Sequence, residues 1–267
     1  MRRLLVLSSA VPVFVAALTV ASPSSFAAGA VYVGSCHPGA KATIQSAVNA
    51  ASSGSTVVVC PGTYHEQVTI GTNLTMKASG TVTIQPTAAA QTATDENTGE
   101  PVDAIVTVTP GNRVTLRGLT IDGSQIESAV NGCSENLVGV LYQASAGHDT
   151  SGVLRSSTVE NVTPTNSGCG AGLGVMVQAG TNPSARATVA LVGNTVSGYG
   201  KNGITCDDVN VVCRVTGNTI TTSPTALVAQ NGIQVGFGSY GKVAGNTVSG
   251  NDWTAYGSDT NPQPQSD

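Results

Sequence analysis

Three short segments repeat at a fixed interval: Leu173-Gly174-Val175-Met176-Val177-Gln178, Asn202-Gly203-Ile204-Thr205-Cys206-Asp207 and Asn231-Gly232-Ile233-Gln234-Val235-Gly236, with glycines 29 residues apart. Val138-Gly139-Val140-Leu141-Tyr142-Gln143 is a looser copy. A second signature follows each of the three: Val192-Gly193-Asn194-Thr195-Val196, Thr216-Gly217-Asn218-Thr219-Ile220 and Ala244-Gly245-Asn246-Thr247-Val248. A unit this small cannot bury its own apolar face, so the units must stack on one another. No helical periodicity separates the copies, which makes the stacked units strands. Composition agrees: there are 36 Val and 33 Thr against 13 Leu, and only 10% of residues are charged. Val and Thr are stiff at χ1 and suit a pleated backbone, which rules out a helical bundle. Ample apolar content with low charge argues against disorder. A net charge of −4 gives no basic footprint for nucleic acid or anionic lipid.

The amino terminus has a separate task. Met1-Arg2-Arg3 is a short basic region, Leu4 to Val20 is apolar, and small residues follow Pro23, the pattern of a secretory leader cleaved after Ala27 or Ala30. The expected organisation is a signal peptide over 1–30, one domain over 31–253 and a polar tail over 254–267. Secretion follows as the expected destination, with no membrane association once the leader is gone. Six cysteines remain, an even number that favours disulfides in an exported protein. With no CxxC pair and three histidines, a structural zinc site is not expected.

Before the repeats, Thr43 to Ala51 places Ile44, Ala47, Val48 and Ala51 on one helical face, with Thr43 positioned as the cap. From Thr56 onward the pattern turns to short β runs punctuated by Gly, Asn and Pro. Thr43-Ile44-Gln45-Ser46-Ala47-Val48, then Val57 to Ile70 with Pro61-Gly62-Thr63-Tyr64-His65-Glu66, then Leu74-Thr75-Met76, resembles the opening of right-handed parallel β-helix proteins of the pectin-lyase-like superfamily. The Asn-Gly-Ile and Gly-Asn-Thr-Val/Ile repeats resemble the same family's coils. The resemblance spans roughly residues 42 to 250. It implies an all-β solenoid of about six rungs with the 43–51 helix capping its amino-terminal end. It implies no single activity, because that fold hosts lyases, hydrolases, epimerases, esterases and non-catalytic proteins.

In such a coil, side chains alternate between interior and surface. Val140, Val175, Ile204 and Ile233 are then expected inside. Leu141, Met176, Thr205 and Gln234 face out, with Gln143, Gln178 and Asp207 as a second outward column. Asn194, Asn218 and Asn246 become an asparagine ladder at a turn. The register pairs Cys133 with Cys169 and Cys206 with Cys213, and Cys36 with Cys60 would pin the amino-terminal segment. Trp253 and Tyr256 are the residues available to cover the far end.

Candidate chemistry is sparse. Asp207-Asp208, with Lys201 and Arg214 nearby in sequence, can be read as acid and base for glycoside hydrolysis or as part of a lyase. In the lyase case alone, Ca²⁺ would enter; otherwise no cofactor and no metal is expected. Gln143, Gln178, Thr205 and Gln234 are the candidate substrate-binding column. Against catalysis stand the missing Asn-Thr-Asp and Gly-His-Gly elements of polygalacturonases, the missing Asp-Pro-His of alginate epimerases and the missing Gly-Arg-Pro-Trp of methylesterases. The insertion Ala88 to Asp103, with Asp95, Glu96 and Glu100, reads as a solvated acidic loop. His65-Glu66 and His148-Asp149 read as surface pairs, and Tyr142 and Tyr240 as aromatic rings able to stack on sugar. The leading expectation is therefore a polysaccharide-associated protein without catalysis. The alternatives are a lyase or glycosidase acting on a uronic-acid polymer, and a structural or protein-interaction scaffold.

Overall fold

The computed structural model describes residues 29–126, 136–164, 172–180, 184–222 and 229–251. These residues wind into a parallel β-helix with three sheets. The first sheet stacks Ala30–Val33, Ser55–Val59, Leu74–Ala78, Arg113–Arg117, Thr150–Arg155, Ala187–Val192, Val211–Thr216 and Tyr240–Ala244. The second stacks seven three-residue strands, from Gly62–Tyr64 to Thr247–Ser249. The third runs Val68–Ile70, Pro101–Val108, Asn136–Gln143, Leu173–Gln178, Asn202–Cys206 and Asn231–Val235, all parallel. The chain visits the third, first and second sheets in turn, so each circuit is one rung, and six complete rungs follow an incomplete first one.

The repeat seen in the sequence is the rung register itself. Val140 pairs with Val175, Val175 with Ile204 and Ile204 with Ile233, all pointing inward as expected. One core of Val, Ile and Leu runs through the coil. The repeated glycines have a steric cause. A Cβ on Gly139 would lie 2.5 Å from the Gly174 carbonyl oxygen, one on Gly174 2.5 Å from that of Gly203, and one on Gly203 2.6 Å from that of Gly232. Each rung can approach the next this closely because none of the four carries a side chain.

The asparagine ladder forms at the turn between the first and second sheets. The Asn194 amide donates to the Leu154 carbonyl and to Asn218 Oδ1, and the Asn218 amide donates to the Leu191 carbonyl and to Asn246 Oδ1. The helix α1 spans Ile44–Ala50, and Thr43 and Ser46 exchange side-chain-to-backbone hydrogen bonds in a capping box. Ile44, Ala47 and Val48 are buried under the first rung. The Glu66 carboxylate accepts from the Ile44 and Gln45 backbone N–H groups at 2.7 and 2.9 Å, so Glu66 serves the helix and not a base-orienter pair with His65. The Gln45 amide bonds both the carbonyl and the N–H of Thr69, occupying the free edge of the third sheet.

Cys36–Cys60 and Cys206–Cys213 are disulfides, with Cα separations of 5.6 and 6.4 Å. Cys133, Cys169, Trp253 and Tyr256 lie outside the described residues, as do most of the expected leader and the polar tail. No helix among the described residues is long and apolar enough to cross a membrane.

Candidate functional site

The structure separates the four residues expected to catalyse. Lys201 precedes the strand Asn202–Cys206 and Asp207 follows it, so about 20 Å of extended chain separates them. The Lys201 ammonium is held by the Ala229 carbonyl at 2.8 Å. Arg214 sits in the first sheet, exposed on its outer face and paired in register with Ala190 and Lys242. The acidic pair occupies the turn between the third and first sheets.

Within that turn, Asp208 has φ +85°, an unusual backbone for a residue other than glycine. Its carboxylate is buried. It accepts from the Ala179 and Gly180 N–H groups at 3.1 and 2.9 Å and from the Asn97 amide. Asp207 is half-buried and accepts from the Asp208 N–H. Burial pushes its carboxyl up to about 6, reinforced by the Asp208 and Asp95 charges against the pull of that N–H. Burial raises Asp208 as well, opposed by the Gly180, Ala179 and Asn97 donors. Among the described residues no group of His, Cys, Asp and Glu is arranged to hold a metal ion. Asp207 can carry a proton near neutrality, but neither Lys201 nor Arg214 stands beside it to share the chemistry.

The substrate-binding column is in the expected register, Gln143 beside Gln178 and Thr205 beside Gln234, yet its polar groups are engaged internally. The 88–103 insertion is not a solvated loop. Its Ala93–Thr94 strand pairs antiparallel with Pro101–Val102, and the hairpin lies back over the outer face of the third sheet. Gln143 donates to Glu96 at 2.6 Å; Gln178 donates to the Thr94 carbonyl at 3.0 Å and accepts from the Glu96 N–H. Asp95, expected in water, is buried and accepts from the Asn97 and Thr98 N–H groups. Beneath the hairpin, Val102, Ala104, Val138, Leu141, Leu173 and Met176 form a second apolar cluster on what was expected to be an open outer face. Thr205 accepts from Asn202, and Gln234 accepts from Asn202 and Asn231. Tyr142 is fully buried in the core beside Gly152, where a Cβ would strike its ring, so it offers no face to a sugar.

Open concave surface lies elsewhere. A shallow groove of about 620 Å³ runs across the outer face of the first sheet. Ser151, Gly152, Val153, Thr188 and Ala190 are among the small residues that floor it, and Arg113, Arg214 and Lys242 border it. No carboxylate lines it. The sequence carries a faint signal for it: Arg113 and Arg214 alternate with core residues such as Val114, Cys213 and Val215. Unlike the repeats in the other two sheets, these strands share no motif to align.

No protein-family model matches the sequence, and no curated protein matches it. Among solved structures, a pectin methylesterase from Aspergillus niger in deglycosylated form is similar at 12% sequence identity and a TM-score of 0.37. The similarity covers 92% of this chain and 93% of that one.

Proposed function

We propose that the chain is an exported parallel β-helix that binds extracellular polysaccharide without turning it over. The observation that carries this reading is the first-sheet groove: open, crossing several rungs, floored by small side chains, and free of carboxylates. An extended polymer fits such a surface, whereas a small molecule gains little burial there. Export is supported by the leader-like amino terminus and by disulfides, which persist in oxidising compartments. Cleavage after Ala27 suits the fold better than cleavage after Ala30, because Gly29 accepts from the Thr56 N–H and Ala30 pairs with Thr56.

Glycan-array binding followed by incubation with each bound polymer tests the reading. The expected result is retention of at least one polysaccharide with no new reducing ends and no unsaturated products. A second reading, hydrolysis or lysis of a uronic-acid polymer, is favoured by the raised Asp207 carboxyl beside Asp208. Turnover that disappears in Asp207→Asn would establish it and displace the first. Absence of binding to every glycan would leave the scaffold role.

A further inference from the structure

Charge in this molecule is sorted by sheet. The strands of the first sheet contain Lys77, Arg113, Arg117, Arg155, Arg214 and Lys242, six of the eleven Lys and Arg in the chain, and no Asp or Glu. Strands of the other two sheets contain Asp103, Asp122 and Glu160 and no Lys or Arg. All six basic side chains are exposed: for five of them the strand neighbours, Met76, Val114, Leu116, Leu154 and Cys213 among them, fill the core, while Lys242 lies in the last strand, Tyr240–Ala244, whose Gly241 and Val243 are exposed as well.

The rung register stacks five of these charges, while Arg113 pairs with Ser151. Lys77 pairs with Arg117 and Arg117 with Arg155, on three consecutive rungs. Arg214 pairs with Lys242. At a strand spacing of about 4.8 Å, like charges face one another directly, which costs stability. No carboxylate is interleaved, although the chain has fifteen Asp and Glu. The acid closest to this face in sequence, Asp149 at the entry to Thr150–Arg155, accepts from the Arg186 N–H. An external polyanion lying across the face would relieve the repulsion.

We infer that a linear polyanionic glycan lies along the solenoid axis on the outer face of the first sheet. Its anionic groups meet Arg113, Arg214 and Lys242 in the groove, and Lys77, Arg117 and Arg155 on the ladder beside it. The inference rests on the polysaccharide-binding reading and adds the charge and path of the polymer. Arg113 and Arg214 stand three rungs apart, about 14 Å along the axis, so an extended chain reaches both where a single sugar does not. The groove lining contains no aromatic side chain, and the exposed Tyr240 beside Val212 is a single ring at its end, whereas single-stranded nucleic acid sites stack successive bases on several aromatic rings. A flat strand face also has no helix or ribbon to enter a duplex groove.

The test is affinity electrophoresis of the full chain against polygalacturonate, its fully methyl-esterified form and a short DNA duplex. Two variants accompany the wild type: Arg113→Gln/Arg214→Gln/Lys242→Gln and Lys77→Gln/Arg117→Gln/Arg155→Gln. Each triple is expected to bind polygalacturonate about tenfold or more weakly, and wild-type affinity to fall steeply between about 50 and 200 mM salt. Polymer is also expected to protect Arg113, Arg117, Arg155 and Arg214 of the wild type from phenylglyoxal, a readout independent of how the variants fold. Unchanged affinity in both triples, or unprotected arginines, overturns the inference. Equal binding of the esterified polymer overturns the anionic assignment while leaving the glycan-binding reading in place. Failure of every glycan removes that reading itself. Tighter binding of DNA than of polygalacturonate makes the face a nucleic-acid interface and overturns the inference.

Discussion

Gly174 and Gly193 show two different reasons for glycine in one rung. A Cβ on Gly174 would lie 2.5 Å from both the Gly203 carbonyl oxygen and Val196 Cγ1, contacts that neither backbone nor core can yield. Gly193 has open space around its Cα but φ +62°. We expect Gly174→Ala to cost about 3 kcal/mol, as overpacking does. Gly193→Ala should cost about 1 kcal/mol for the left-handed backbone. Urea denaturation of the two variants checks the order. Asp207 is a second residue-scale case. Its folded carboxyl is pushed up to about 6, so between about pH 4 and 6 the folded state holds more protons than the unfolded chain. Stability attached to this group is therefore fully present below pH 4, falls as pH rises through 6, and leaves a penalty at neutrality. Asp207→Asn should raise the melting temperature at pH 7.5 by about 2–4 °C, from about 1 kcal/mol after discounting for the water that screens a half-buried group. It should also flatten the gain that the wild type shows on acidification from pH 7 to 5. A variant less stable than wild type at pH 7.5 would show that the carboxylate is needed for its hydrogen bond and not merely tolerated.

At the scale of elements, the asparagine turns hold the first and second sheets in step. Asn218 donates to Leu191 and Asn246 and accepts from the Asn194 N–H and amide, all while buried. Asn246 has only one rung neighbour in the ladder and is partly exposed. Asn218→Ala leaves several buried partners unsatisfied and should cost about 3 kcal/mol; Asn246→Ala should cost about 1. Chemical denaturation monitored by circular dichroism distinguishes them, and equal costs would mean that the ladder does not act through stacking. This element was legible in the sequence because Gly193-Asn194-Thr195, Gly217-Asn218-Thr219 and Gly245-Asn246-Thr247 repeat in one phase. The same phase located Cys206 against Cys213. The hairpin over the third sheet was not legible. Asp95 and Glu96 look like surface acids in their local sequence, yet Asp95 is buried and Glu96 is held by Gln143 and Gln178, about 50 and 80 residues away. Polar residues seen as an outward column could be assigned to solvent only by assuming that nothing packs on that face. The Ala88 to Asp103 insertion does.

For the molecule as a whole, the repeats reveal two of the three sheets. Asn-Gly-Ile marks the third sheet and Asn-Thr-Val/Ile the second, while the first sheet has no shared word, so its register, and with it the basic face, appears only when the coil is built. Net charge conceals the face further, because acids elsewhere outnumber the six bases of the first sheet. The stacking has an energetic signature that needs no ligand. Arg117 faces Lys77 on one side and Arg155 on the other, whereas each of those has a single basic neighbour in the column, since Arg155 next meets Val192 and Lys77 meets Val58. Replacing Arg117 by Gln therefore removes two like-charge contacts and replacing either neighbour removes one. At low ionic strength we expect Arg117→Gln to stabilise the protein by about 1 kcal/mol, and Lys77→Gln and Arg155→Gln by about half as much each. All three differences should shrink as salt shortens the Debye length to about 3 Å near 1 M, below the rung spacing. Thermal melts of the four proteins at low and high salt measure this directly. If Arg117→Gln is no more stable than wild type at low salt, the ladder is not repulsive in the free protein, and the stacked charges need no external anion to balance them.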